Sequence, residues 1–340
     1  MSFGLDIGSH SLKIIQCQKR GQYYFLTAWG ECQTPIPTET TAARDKIVLA
    51  EVIKKLVKDS KITAKEVVVA LPESQVYSRI IQLPQLTDAE LASVIEFEAE
   101  QYIPVPLDQV QVEFLVLNKP PAGAPSAKMD VLLIAAQKKA INDLSYILEL
   151  ADLVPQVLET EMLAVSRVLT SYADTSLLVN IGKNSTDLAI VKGKELKFVY
   201  SFPTGGQALT RVVSQQLGLD LAQAEEYKKA YGLDKNVLEG KVAQALLSAM
   251  DQITAQIQKT IQFYLQKNAA LENIVRVVLA GGTALMPGLA AYLTGKIGLE
   301  TVLANPFAYF DKSQDFPKEL LTGSARFATS VGLALRNEGN

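Results

Sequence analysis

Asp6-Ile7-Gly8-Ser9-His10-Ser11-Leu12-Lys13 places a carboxylate, a glycine turn with small hydroxyl side chains, and a cation within eight residues. A tight turn of this kind offers backbone N–H groups to phosphate oxygens, and glycine permits close approach. Lys13 adds positive charge, and Asp6, at a strand end, suits Mg²⁺ held through water, because that ion gives up its hydration shell reluctantly. The bland alternative is an ordinary hairpin with a glycine turn. A second loop, Gly182-Lys183-Asn184-Ser185-Thr186-Asp187, repeats the turn and carries Asp187 where the first has Lys13. Two such loops facing one another bring one cation and two carboxylates to a shared site, with Gly8, Ser9, His10, Ser11 and Lys13 on one side and Gly182, Asn184 and Ser185 on the other. Asp6 and Asp187 are then the residues placed to hold Mg²⁺ and position a water. Asp187 is expected on a surface turn in an open cleft, and Lys183 reads as a solvated turn residue. Gly205-Gly206 precedes a helical stretch whose free N-terminal amides could approach a phosphate or ribose. In Leu279-Ala280-Gly281-Gly282-Thr283-Ala284-Leu285-Met286-Pro287-Gly288, a glycine pair at a strand end lets a flat base pass the backbone, with Thr283 beside it and Met286 as an apolar cover. A plain strand-to-helix turn fits that segment equally well.

These loops need strands to hold them. Leu5–Ile7, Leu12–Gln18 and Gln22–Trp29 read as a β-meander, and Leu178–Val191 lies on Gly4–Cys17 without a gap, which predicts a duplicated domain with two turns facing across a cleft. The segment at about 75–151 has a different texture. Thr87-Asp88-Ala89-Glu90 is a capping box with Leu86 and Leu91 as a staple, so a helix is expected from Asp88 to about Tyr102, stopped by Ile103-Pro104-Val105-Pro106. Strands at Val110–Leu117 and Met129–Ala136 flank a Pro/Gly-rich hairpin loop at 118–126, and a helix at Lys138–Leu150 closes the insert. Helices are expected at Gln207–Leu217, Leu221–Tyr231 and about Val237–Lys267, then a strand at Ile274–Ala280, a helix opening near Pro287, and a last helix at Ser324–Arg336. The division is 1–172 for a first half with its insert, 173–323 for a second half, and 324–340 for a C-terminal helix packing back on the first.

Composition sets the limits. Of 340 residues, 48% are hydrophobic and 20% charged, which suits folded domains rather than disorder. Thirty-three basic against thirty-six acidic side chains give a net charge of −3, so no general attraction to nucleic acid is expected. Two cysteines and one histidine exclude a disulfide framework and a Cys/His zinc site. With no apolar run long enough to span a bilayer and no cleavable leader, the expectation is a cytoplasmic protein that meets a membrane only through partners.

Taken in order, the two loops, the Gly-Gly and the adenosine loop resemble the actin, heat-shock chaperone and sugar-kinase superfamily. Ala224-Glu225-Glu226-Tyr227-Lys228-Lys229-Ala230-Tyr231-Gly232 is similar to a helix of FtsA-like proteins, and the resemblance puts Glu225 and Lys228 near ribose and adenine. Within that superfamily the chain most resembles the PilM family of type IV pilus assembly proteins, through Gly4-Leu5-Asp6-Ile7-Gly8-Ser9 and Glu98-Ala99-Glu100-Gln101-Tyr102-Ile103-Pro104-Val105-Pro106. His10 departs from the serine usual in that loop. The resemblance implies an α/β, actin-like ATPase fold with an inserted FtsA-like subdomain, ATP and Mg²⁺ as cofactors, and weak ATPase activity at most. It also implies a partner, the cytoplasmic N-terminal tail of the membrane protein PilN, which would hold the chain at the inner membrane. Ile81, Leu83, Phe97, Tyr102 and Ile103 are the apolar candidates for that tail. Other pilus assembly proteins and self-association stay open as further contacts. Two alternatives remain: a sugar or acid kinase of the same fold, for which no separate carboxylate base presents itself, and an FtsA-like filament former.

Overall fold

The computed structural model describes residues 2–38, 42–119, 128–168, 174–268 and 273–336. The expected Pro/Gly loop falls largely on 120–127 and the junction of the two halves on 169–173, both outside the described residues.

The chain begins with β1 (Phe3–Ile7), β2 (Ser11–Arg20) and β3 (Tyr23–Gln33), helix α1 (Ala43–Asp59) and β4 (Glu66–Leu71). An insertion follows, made of β5 (Val76–Leu83), α2 (Asp88–Glu100), β6 (Val110–Asn118) and β7 (Met129–Gln137). Helix α3 (Lys138–Leu150), β8 (Val154–Thr160) and α4 (Glu161–Arg167) complete the first half. The second half runs through β9 (Thr175–Ile181), β10 (Thr186–Lys192), β11 (Glu195–Phe202), α5 (Gly206–Leu217), α6 (Leu221–Tyr231) and α7 (Lys241–Asn268). It ends in β12 (Arg276–Ala280), α8 (Leu289–Ile297), β13 (Glu300–Leu303), α9 (Lys318–Thr322) and α10 (Ala328–Ala334).

Two five-stranded sheets share one topology, β3-β2-β1-β4-β8 and β11-β10-β9-β12-β13. The duplication extends to register: Gly4 pairs with Ile15 and Asp6 with Lys13, as Leu178 pairs with Ala189 and Asn180 with Asp187. A gap-free repeat must do this, because a one-residue slip would turn every side chain to the opposite face. In both sheets the first strand also runs parallel to a buried one, β4 or β12, reached through a helical crossover.

Each half has its own core. Phe3, Leu5, Leu12 and Ile14 meet Leu49 and Ile53 of α1 and Leu144, Ile147 and Leu148 of α3. Helix α3 thus belongs with the first sheet, whereas the sequence pattern grouped it with the insert. In the second half, Leu177, Val179 and Leu188 meet Leu209, Leu246, Met250 and Ile253. A further cluster joins the halves beneath the cleft, uniting Ile15 and Cys17 with Met162, Leu178, Ala189 and Phe327. Helix α10 lies on the first half, where Leu333 packs with Val68, Ala70 and Ala164. The insert is a three-stranded antiparallel sheet, β5-β7-β6, with α2 on one face. The capping box forms: the Glu90 amide donates to Thr87 Oγ1 at 3.3 Å, and the Thr87 amide to Glu90 Oε2 at 2.8 Å. Among the described residues no helix is long and apolar enough to cross a membrane.

Two boundaries differ from expectation. Pro287 does not open α8, because Gly288 intervenes in a left-handed conformation (φ +77°) that ends the preceding turn, and the helix begins at Leu289. The last helix is split, with one 3₁₀ turn at Ser324–Phe327 before α10.

Candidate functional site

A cleft of about 1410 Å³ runs between the halves, and both turns open into it. The first turn joins β1 to β2. Its carbonyls are drawn to the chain after β3: Thr34 Oγ1 donates to Gly8 O at 2.6 Å, and the Thr34 amide to His10 O at 3.0 Å. A Cβ on Gly8 would lie 2.9 Å from Ser11 O, so the turn stays closed only with glycine there. Lys13 Nζ is 3.3 Å from Asp6 Oδ2, and both side chains are buried. Ser9, His10 and Ser11 line the same wall.

The second turn is built differently. Gly206 and Gln207, the first residues of α5, donate their amides to Gly182 O and Lys183 O, each at 2.8 Å. This corrects the expectation of free amides at the Gly205-Gly206 helix start. Those donors are spent on the loop, and the glycines serve close packing. A Cβ on Gly205 would lie 2.7 to 2.8 Å from three loop carbonyls, and one on Gly206 would lie 2.5 Å from Thr283 Oγ1. The trans peptide plane sets C=O and the next N–H in opposite directions. With the carbonyls of Gly182 and Lys183 held by α5, the amides of Lys183 and Asn184 point away from it.

Asp187 is not on a surface turn. It sits in β10 at 1% exposure, because its register partner Asn180 and the neighbouring β11 enclose it. Ser201 Oγ donates to it at 2.6 Å and Ser185 Oγ at 3.2 Å. Burial nevertheless pushes its carboxyl up to about 6. Two glutamates that the sequence reading missed line the same cleft. Glu73, just after β4, accepts from the Met162 amide at 2.9 Å, and burial followed by the charge of Asp187 raises it to about 7. Glu161, which opens α4, is raised well above the ordinary carboxylate range by burial first, then by Asp187, Asp6 and Glu73. The floor is therefore short of positive charge. Asn180 was also missed, although the gap-free repeat lays it on Asp6.

Across the cleft, α6 presents Glu225 and Lys228. Lys228 Nζ donates to Glu225 Oε2 at 2.6 Å, to Thr210 Oγ1 at 2.9 Å and to Gly206 O at 3.0 Å, while Thr210 Oγ1 also donates to Glu225. Burial lowers the Lys228 ammonium, and its partners oppose that shift. Gly281 (φ +88°) would bring a Cβ within 2.5 Å of Ile181 O, whereas a Cβ on Gly282 meets nothing within 4 Å and would project into open space. Thr283 Oγ1 donates to Gly182 O at 3.3 Å, and Met286 is buried in the second core at the cleft wall. The partner-binding candidates scatter. Ile81, Leu83 and Ile103 are buried between the insert's sheet and α2. Tyr102 is half-buried at the cleft with the Arg79 guanidinium 4.9 Å from its ring, and Phe97 is 67% exposed on α2.

The residues present fit a Mg-polyphosphate. The carbonyls of Gly8 and His10 are held by Thr34 and those of Gly182 and Lys183 by α5, Gly282 leaves room where a base would lie, and Asp6 and Asp187 would hold the ion through water. Among the described residues no three acidic, His or Cys side chains converge as direct metal ligands.

Two sheets of one topology, related by an internal repeat and facing each other across a cleft lined by their first turns, define the actin-like ATPase fold. MreB5 of Spiroplasma citri bound to AMPPNP shares that fold, with a TM-score of 0.55 at 12% identity over 99% of this chain and 96% of that one. Residues 4–338 match the family model described as type IV pilus assembly protein PilM, and the chain belongs to that family. A solved PilM–PilN type IV pilus biogenesis complex contains a chain similar to this one, at a TM-score of 0.87 and 27% identity, covering 99% of this chain and 98% of that. Cell division protein FtsA of Enterococcus hirae is 23% identical over 90% of this chain and 78% of its own length. FtsA of Neisseria meningitidis serogroup B is 23% identical over 74% of this chain, which spans 66% of that protein.

Proposed function

We propose that this PilM family member is an ATP-binding scaffold or switch of pilus assembly. It takes Mg-ATP between its two turns and binds the cytoplasmic N-terminal tail of a PilN protein, which holds it at the inner membrane. The observation that carries the partner is the likeness, over nearly the whole chain, to a protein solved in complex with PilN. For the nucleotide, support comes from the paired turns, the Glu225–Lys228 pair opposite them and the open space at Gly282.

Turnover is weak on this reading. Asp6 and Asp187 would hold Mg²⁺ and polarise a water, but placing that water in line for attack calls for a closed cleft or a partner. For the tail, Phe97 and Tyr102 are the accessible members of the candidate set, and Ile81, Leu83 and Ile103 shape the surface from beneath. We place the insert at 76–137 within a first half that ends near residue 172, where the second half begins, with α10 returning to the first half.

Titration with Mg-ATP and with a labelled PilN tail tests both parts. Asp187→Asn keeps the side chain's shape and one acceptor oxygen while removing the charge, and a serine hydroxyl can turn to accept from the new NH₂, so Mg-ATP binding should weaken and thermal stability without ligand should hold. Unchanged nucleotide stabilisation in that variant would remove Asp187 from the site. Full-strength tail binding by a protein whose insert is replaced by a short linker, and which still binds ATP, would move the partner site elsewhere.

A further inference from the structure

Among the described residues, the cations in the cleft are, with one exception, already committed. Lys13 is paired with Asp6, Lys228 and Lys229 with Glu225, and Arg326 with Glu31, while the Arg79 guanidinium lies over the Tyr102 ring. Lys183 has no carboxylate partner among the described residues. Its ammonium instead reaches across the cleft and donates to Ser9 O in the first turn at 3.3 Å. A single long contact to a neutral carbonyl leaves most of the ammonium's three-donor capacity unused.

The surroundings make this placement specific. The carbonyl of Lys183 is fixed by the Gln207 amide, so its stem starts from a rigid point. In the first turn the carbonyls of Gly8 and His10 are both taken by Thr34, while that of Ser9 faces the second half. The ammonium therefore stands between the two turns, in the space a bridging phosphate would occupy. It also stands close enough to His10 to act, after partial burial and Lys229, among the influences that lower the imidazole.

We propose that Lys183 is the phosphate-binding cation of the second turn, exchanging the Ser9 carbonyl for a phosphate oxygen when a polyphosphate enters. The same side chain then ties the halves together in both states, through a weak contact without ligand and a charge-assisted one with it. This rests on the nucleotide reading above. It adds a cation that no carboxylate among the described residues balances, whereas Lys13, Lys228 and Lys229 are already paired with Asp6 and Glu225.

The test is Lys183→Met in the full-length protein, which keeps the stem and removes the charge, with Lys183→Arg as the charge-conserving control. Affinities for adenosine, ADP and ATP are measured by calorimetry in the presence of Mg²⁺. The Met variant should bind ATP about ten- to hundredfold more weakly, in keeping with loss of a hydrogen bond to a charged group. Adenosine affinity should not change, and the Arg variant should recover much of the loss. Without nucleotide, amide exchange over residues 8–11 should be faster in the Met variant. Unchanged ATP affinity, or an equal loss for adenosine, overturns the assignment of Lys183. Failure of the wild-type protein to bind adenosine or ATP at all would instead overturn the nucleotide reading, and this proposal with it.

Discussion

Glu73 gives the most quantitative handle on the cleft. Its carboxyl is buried, accepts from the Met162 amide, and is raised from an ordinary 4.5 to about 7, first by burial and then by Asp187. In the unfolded chain the same group ionises near its ordinary value. Between those two values the folded state therefore binds more protons, so stability contributed here is lost as pH rises toward 7. A shift of about 2.5 units at 1.36 kcal/mol per unit amounts to roughly 3 kcal/mol once the group is ionised in both states. Glu73→Gln keeps an oxygen for the Met162 amide and cannot ionise. Its stability relative to wild type should rise by about 2.5 kcal/mol from pH 5 to pH 8.5. Urea unfolding of both proteins at several pH values, without nucleotide, reads this directly. Asp187→Asn in the wild-type background should move the midpoint of the wild-type pH dependence downward, since it removes the second cause of the shift. A difference between Glu73→Gln and wild type that stays constant from pH 5 to 8.5 would refute the reasoning.

Two further outcomes follow from packing. Gly332→Ala would push a methyl into the carbonyl of Ala164 where α10 crosses α4; because a backbone atom cannot swing aside, a loss of about 3 kcal/mol or more is expected in thermal or urea unfolding. Gly282→Val has open space in the ligand-free protein, so stability should hold while ATP affinity falls more than that of inorganic triphosphate; equal losses for both ligands would place the base elsewhere.

The duplicated sheet was legible because a gap-free repeat in sequence becomes the same ladder register in space. That is also why Asn180 could have been found, as the residue overlying Asp6. Helix α2 was legible because Thr87 and Glu90 fix its start through local bonds. Glu73 and Glu161 left no such trace, since each follows a different strand and only the assembled first sheet brings them toward Asp187. The α5 amides misled for a related reason. A glycine pair before a helix has the same pattern whether its donors face a ligand or a neighbouring loop, and only the fold decides between them. The place of α3 was obscured by chain order, for it follows β7 directly but its apolar face belongs to α1 and the first sheet.

The return of α10 to the first half has a consequence for synthesis. Val68, Ala70 and Ala164 are covered by Leu333, and Gly4 lies against the backbone of Ser330 and Ala334. These sites emerge from the ribosome long before their cover does. At ordinary elongation rates the interval between α4 and α10 is on the order of ten seconds. Through that time the nascent first half carries an apolar seam open to chaperones or to a neighbouring chain, while the second half is still being made. The half that is made first is thus the last to be sealed.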